Sequence, residues 1–134
     1  MNTVREIIKN YGIYPRRRLG QSFLEDKNII TKITTLADIH PDDTVVEIGS
    51  GLGIMTSSLA SKAKNVIAIE IDPQMITILR ERFRHHREVT VIEQDVLCCD
   101  FSTCLSPESK GKLKIVGNIP YNISTQILFH LLKF

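Results

Sequence analysis

From residue 44 onward, short apolar runs alternate with stretches of helical spacing, and this alternation constrains the chain more than any single motif. Thr44-Val45-Val46-Glu47-Ile48, Val66-Ile67-Ala68-Ile69-Glu70, Val89-Thr90-Val91-Ile92-Glu93 and Leu113-Lys114-Ile115-Val116-Gly117 read as four strands. Residues 54–62 read as a helix after the first strand. After the second, Asp72-Pro73 opens another: Asp suits the N-cap and Pro the first helical position. Met75, Ile76, Leu79 and Phe83 form its apolar face, and residues 124–133 form a last amphipathic helix. Nearly continuous apolar strands separated by helices imply a parallel sheet covered on both faces. Right-handed crossovers then predict a doubly wound α/β sheet in the order 3-2-1-4.

The first 40 residues read as a helical extension to this βα core at 41–134. Thr3-Val4-Arg5-Glu6 fits a capping box, Val4, Ile7, Ile8 and Tyr11 share a face, and Gly12 closes the helix. A loop with Pro15 and the basic run Arg16-Arg17-Arg18 follows. A second helix is expected to start between Asp26 and Asn28, with Ile29, Ile30, Ile33, Leu36 and Ala37 at helical spacing.

A chain of 134 residues with 43% hydrophobic and 24% charged residues suffices for one domain with a core. A net charge of +2 permits a nucleic-acid partner without demanding one. No run is long enough to cross a bilayer, and MNTVREIIKN is not a signal peptide, so the chain reads as cytoplasmic with no membrane partner. Cys98, Cys99 and Cys104 are odd in number and crowded into one region, which argues against a disulfide framework. They form no C-x-x-C pair, and His85-His86 adds no convincing ligand set, so no metal is expected.

Open parallel sheets bind ligands beyond the carboxyl ends of their strands. The polar oddities of this sequence fall at those four ends: Glu47 to Gly53, Glu70, Asp95, and Asn118 to Tyr121. In Glu47-Ile48-Gly49-Ser50-Gly51-Leu52-Gly53, alternate glycines allow a sharp turn and close backbone approach to a ligand. The helix start behind them can hold an anionic group. A dinucleotide fingerprint, G-x-G-x-x-G/A, would need a small residue where Ile54 stands. Glu70 lies 21 residues after Gly49, where an acid can accept hydrogen bonds from both hydroxyls of a ribose. Asp72 is the rival acid, but its place before Pro73 accounts for it as a cap. Asp95 could accept from an adenine amino group, although Asp also commonly begins a loop.

The sequence Gly117-Asn118-Ile119-Pro120-Tyr121-Asn122 ends the fourth strand. The exocyclic amine of adenine is a poor nucleophile because its lone pair is delocalised. Two acceptors on its N–H bonds, the Asn118 side-chain oxygen and a backbone carbonyl near Ile119-Pro120, would free that lone pair. Pro120 stiffens the turn, and Tyr121 offers a face on which a flipped base can stack. Taken alone, the same residues also fit a structural Asn-x-Pro turn with Tyr in the core.

Leu19-Gly20-Gln21-Ser22-Phe23-Leu24, EIGSGLG, AIEIDP, Gln94-Asp95-Val96 and GNIPYNIST together resemble the rRNA adenine N6-dimethyltransferase family, over nearly the whole chain. That family includes small-subunit rRNA dimethylases, macrolide-resistance methylases and mitochondrial transcription factor B proteins. YGIYPRRRLGQSFL and STQILFHLL are most similar to the small-subunit branch, whereas Ser50 is shared with the resistance methylases. The resemblance implies a class I methyltransferase, Rossmann-like fold, S-adenosyl-L-methionine as cofactor, and small-subunit ribosomal RNA, free or in a pre-ribosomal particle, as partner. It implies cofactor contacts from Ser22, Phe23, Leu24, Gly49, Gly51, Gly53, Glu70, Asp95, Val96 and Asn118, and catalytic roles for Asn118, Pro120 and Tyr121. Ser22 stands where the family usually has Asn, which shortens that contact.

Family members run to about twice this length, with three more strands and a helical RNA-binding domain. The expectation is therefore the N-terminal part of such a domain, with the edge of the fourth strand uncovered: a fragment, a truncated gene product, or half of a split protein whose C-terminal half is supplied elsewhere. Adenine N6-methylation of small-subunit rRNA is the expected function. A non-catalytic module binding cofactor or RNA is the alternative, and Ile54 disfavours a nicotinamide oxidoreductase. Arg16-Arg17-Arg18 and a second group at Arg80, Arg82, Arg84, Arg87, His85 and His86 are candidate RNA contacts.

Overall fold

The structure is a computed structural model that describes residues 4–12, 27–119 and 121–134. Thr3, the 13–26 segment with Arg16 to Arg18 and Ser22-Phe23-Leu24, and Pro120 lie outside the described residues, as do the side chains of Val4 and of residues 121–123. Two helices, α1 (Val4–Tyr11) and α2 (Lys27–Leu36), precede β1 (Thr44–Ile48). Then come α3 (Ile54–Ala60), β2 (Asn65–Glu70), α4 (Pro73–Arg82) and β3 (Val89–Glu93). Two 3₁₀ turns at Val96–Cys98 and Phe101–Thr103 lead to β4 (Leu113–Gly117) and α5 (Tyr121–Leu131).

The four strands form one parallel sheet in the order β3-β2-β1-β4, as the alternation in the sequence predicts. The pleat sends successive side chains to opposite faces. Val46, Ile48 and Ile69 pack with Val96, Phe101 and Ile127 on the face covered by α5 and the 3₁₀ turns. Val45 and Val66 pack with Ile30, Met55 and Leu59 on the face covered by α2 and α3. On that side α4 adds Ile76, Leu79 and Phe83 against Val89 and Val91. Burial on both faces explains why these strands carry no clean polar alternation.

Asp72 caps α4 by accepting the Gln74 N–H at 2.9 Å, with Pro73 in the first turn. Helix α3 ends at Ala60 rather than 62, β2 begins one residue early at Asn65, and α5 ends at Leu131 rather than 133; the largest difference lies at the start of α5. Helix α5 begins at Tyr121, three residues before the predicted Ser124. Tyr121, Asn122 and Ile123 already have helical backbone, so the helix grows directly from a motif that, as a bare sequence, reads as a turn.

Candidate active site

Strand register brings the four carboxyl ends together. Ile48 is aligned with Ile69 on one side and with Gly117 on the other, and Glu70 is aligned with Glu93. The segments that leave these strands therefore start from one rim. Gly49 and Ser50 N–H groups donate to the Ile69 carbonyl at 2.9 and 3.2 Å, and Gln94 N–H donates to the Glu70 carbonyl at 3.1 Å. A Cβ placed on Gly49 would lie 3.9 Å from the Asn118 carbonyl oxygen. The glycine loop, Glu70, the start of the β3 exit and Asn118 thus adjoin one another.

Gly49, Gly51 and Gly53 have φ of 72°, 56° and 83°. This left-handed conformation is costly for any residue with a Cβ, which is why the glycines fall at alternate positions. Gly53 has a second reason. A Cβ there would sit 2.6 Å from Phe83 Cε2 and 2.9 Å from Leu79 Cδ2, so its bare backbone lets α4 dock against the loop.

Glu70 is buried, and its carboxylate organises the rim. Oε1 accepts the Gly51 N–H at 2.8 Å, while Oε2 accepts the Ile71 and Asp72 N–H groups at 2.8 and 2.9 Å. A carboxylate offers about four acceptor positions. Three are occupied by backbone here, which leaves about one for an external hydroxyl rather than the pair expected from sequence.

Glu47 is also buried, and the Thr56 hydroxyl donates to its Oε1. Desolvation pushes the Glu47 carboxyl up from 4.5 to about 7. The Thr56 and Ser50 hydroxyls oppose that rise, and the Glu70 charge adds to it. Sequence singled out Glu47 only as the acid ahead of the glycines. The signal for its burial was its position inside an apolar strand followed by a helix.

Asp95 is exposed, and its Oδ1 accepts the Leu97 N–H at 2.9 Å, capping the first 3₁₀ turn. Val96 packs its side chain into the core, so any contact it makes with a ligand runs through its backbone. Asn118 is exposed at the end of β4. Ser22, Phe23, Leu24, Pro120 and the Tyr121 ring lie outside the described residues.

Arg82 departs from its expected place in a basic surface. It is partly buried and donates through Nη1 to the Leu52 carbonyl in the glycine loop. The clue was its spacing: 82 continues the stripe of Met75, Ile78 and Leu79, so a residue there faces inward. Arg80, Arg84, His85 and Arg87 are exposed. Residues 84–88 lead into the amino end of β3, away from the carboxyl ends that form the rim.

A parallel sheet of this order, with a glycine loop after β1 and an acid ending β2, defines an S-adenosylmethionine-dependent class I methyltransferase fold. The family model for ribosomal RNA adenine dimethylase matches residues 14–134, and the chain belongs to that family. It is 52% identical over 132 residues to the ribosomal RNA small subunit methyltransferase A of Syntrophus aciditrophicus, covering 98% of this chain and 47% of that protein. Its counterpart of the same name in Acinetobacter baylyi is 43% identical over 126 residues, covering 94% of this chain and 45% of the relative. Among solved structures, the 23S rRNA methyltransferase ErmE aligns with a TM-score of 0.72 at 35% identity, covering 84% of this chain and 43% of that one. A dimethyladenosine transferase from Plasmodium falciparum aligns at 0.68 and 32% identity, covering 84% and 39%. The chain spans about half the length of the curated relatives it matches.

Proposed function

We propose that this chain carries the cofactor-binding part of an adenine N6-methyltransferase that acts, in the cytoplasm, on small-subunit ribosomal RNA, free or within a pre-ribosomal particle. Residues 1–40 serve as a helical extension and 41–134 as the βα core. The observation that carries the reading is the shared rim, where Gly49 approaches the Asn118 carbonyl and Glu70 holds the Gly51 N–H.

The residues present fit S-adenosylmethionine. The left-handed glycines offer bare backbone, and Glu70 keeps acceptor capacity suited to a ribose hydroxyl. Gly49, Gly51 and Gly53 would give the cofactor close backbone contact, and Asp95 with the Val96 backbone would take the adenine. Ser22, Phe23 and Leu24 would close the methionine end. When bound, the cofactor supplies an electrophilic methyl group on a sulfonium.

The chain's own residues then handle the target base. The Asn118 side-chain oxygen and a backbone carbonyl at Ile119-Pro120 accept the two N–H bonds of the adenine amine and free its lone pair. The Tyr121 ring stacks on the flipped base, a contact worth about 1–3 kcal/mol. Alignment and charge placement, rather than a strong base, carry most of such a transfer.

Titration of S-adenosylmethionine into this chain, followed by methyl incorporation into unmodified small-subunit rRNA, tests the proposal. Binding with transfer to an adenine N6 supports it. Binding without transfer supports a non-catalytic module. No binding refutes it, and preferential transfer to large-subunit rRNA would place the target in the other subunit.

A further inference from the structure

The glycine loop is held by two charged side chains that approach it separately. The Glu70 carboxylate accepts the Gly51 N–H at 2.8 Å. The Arg82 guanidinium donates to the carbonyl of the next residue, Leu52. Arg82 reaches it from the last turn of α4, lying 5.5 Å over the Phe83 ring. Its Nη1 would be 3.1 Å from a Cβ on Gly53, so the guanidinium fills the space that glycine leaves open.

Helix α1 joins the same assembly. Ile7 is fully buried in a cluster with Leu52, Met75 and Ile78, and Tyr11 packs against that cluster. Burial first, and then a hydrogen bond to the Glu81 carboxylate, raises the Tyr11 hydroxyl above its ordinary value of 10.0. The segment that follows α1 leads to Ser22, Phe23 and Leu24.

We infer that Arg82 is a positioning residue for the cofactor loop. With Glu70 it clamps two consecutive residues by opposite charges, and the packing of Ile7 and Tyr11 with Leu52 sets α1 against that clamp. The orientation of the Gly51–Leu52 backbone, which the cofactor must approach, then depends on a side chain that touches neither cofactor nor base. The role in cofactor binding rests on the proposed function; the clamp itself does not.

Amide hydrogen exchange and S-adenosylmethionine titration are to be measured on the 134-residue chain and on Arg82→Met, Arg82→Lys and Tyr11→Phe. In Arg82→Met, the Gly51 and Gly53 amides should exchange about tenfold faster while the Val45 to Ile48 amides keep their protection. The cofactor Kd should rise by about tenfold. Arg82→Lys should recover part of both effects, because an ammonium can still donate to the Leu52 carbonyl, and Tyr11→Phe should show a smaller change in the same direction. Unchanged exchange at Gly51 and Gly53 overturns the inference. Equal loss of protection along β1 does so too, because Arg82 would then only stabilise the fold. Loosened loop amides in Arg82→Met, with no cofactor bound by the parent chain, would leave the clamp standing and remove the proposed function instead.

Discussion

Strand β1 has a buried carboxylate at each end, and the two behave in opposite ways. Asp43, just before the strand, is 2% exposed, and Glu47, near its end, is 1% exposed. Hydrogen bonds from the His40 and Lys112 N–H groups, followed by the nearby Lys114 ammonium, lower Asp43 to about 2. Those bonds measure 2.9 and 2.8 Å, and Lys114 Nζ lies 3.4 Å away. Glu47 has hydroxyls and a like charge for neighbours, so desolvation wins and lifts it to about 7. Burial alone therefore does not set the charge of a carboxyl group; the number of donors aimed at it does. The amino end is a staple joining residues 38–43 to β4, whereas the carboxyl end keeps groups whose state and partners can still change.

The strongest challenge to this contrast is Asp43→Ala. It should lower the melting temperature more than Gly53→Ala or Tyr121→Ala, because two backbone donors and Lys114 lose their acceptor together. A thermal melt that matched the parent would erase the distinction between the two ends. Gly53→Ala comes next, at roughly 2–4 kcal/mol in denaturant unfolding, from a strained φ plus collision with Phe83 and Leu79.

Glu70→Ala should weaken S-adenosylmethionine binding by about 10- to 100-fold, read by calorimetry, since a charged acceptor is lost. Affinity equal to the parent would remove Glu70 from the cofactor site. Tyr121→Ala should lower methylation by about tenfold while leaving cofactor affinity near the parent value, a split visible in kcat/KM against Kd.

A last test sharpens the comparison through pH. Asp43 contributes stability that is present above its ordinary 3.8 and lost as pH falls through about 2. Glu47 has the opposite sign: the folded chain keeps a proton that the unfolded chain releases between 4.5 and about 7, so stability declines as pH rises through that window. That decline is limited to roughly 3 kcal/mol. In Glu47→Gln the slope across the window should flatten, as measured by unfolding at pH 5 and pH 8. An unaltered slope would show that Glu47 does not titrate there.

Much of this arrangement was legible in the residues themselves. Apolar runs of strand length, an Asp-Pro cap and glycines at alternate positions are local signals, and local backbone preference reads them directly. They placed β3 and β4 at their observed bounds and ordered the sheet. The start of α5 was harder, because Asn-x-Pro suits a turn and a helix entrance equally well.

Sequence alone determined which residue types stand at the four strand ends, because covalent order and the two-residue pleat dictate where each strand exposes a loop. Tertiary structure decided what those residues face. Glu70 meets the Gly51 N–H across 19 positions, Arg82 meets the Leu52 carbonyl across 30, and Asp43 meets Lys112 across 69. Such partners are chosen by packing of the whole sheet. Whether a carboxyl group is driven up or down, and whether an arginine belongs to the surface or to a loop, follows from those distant partners.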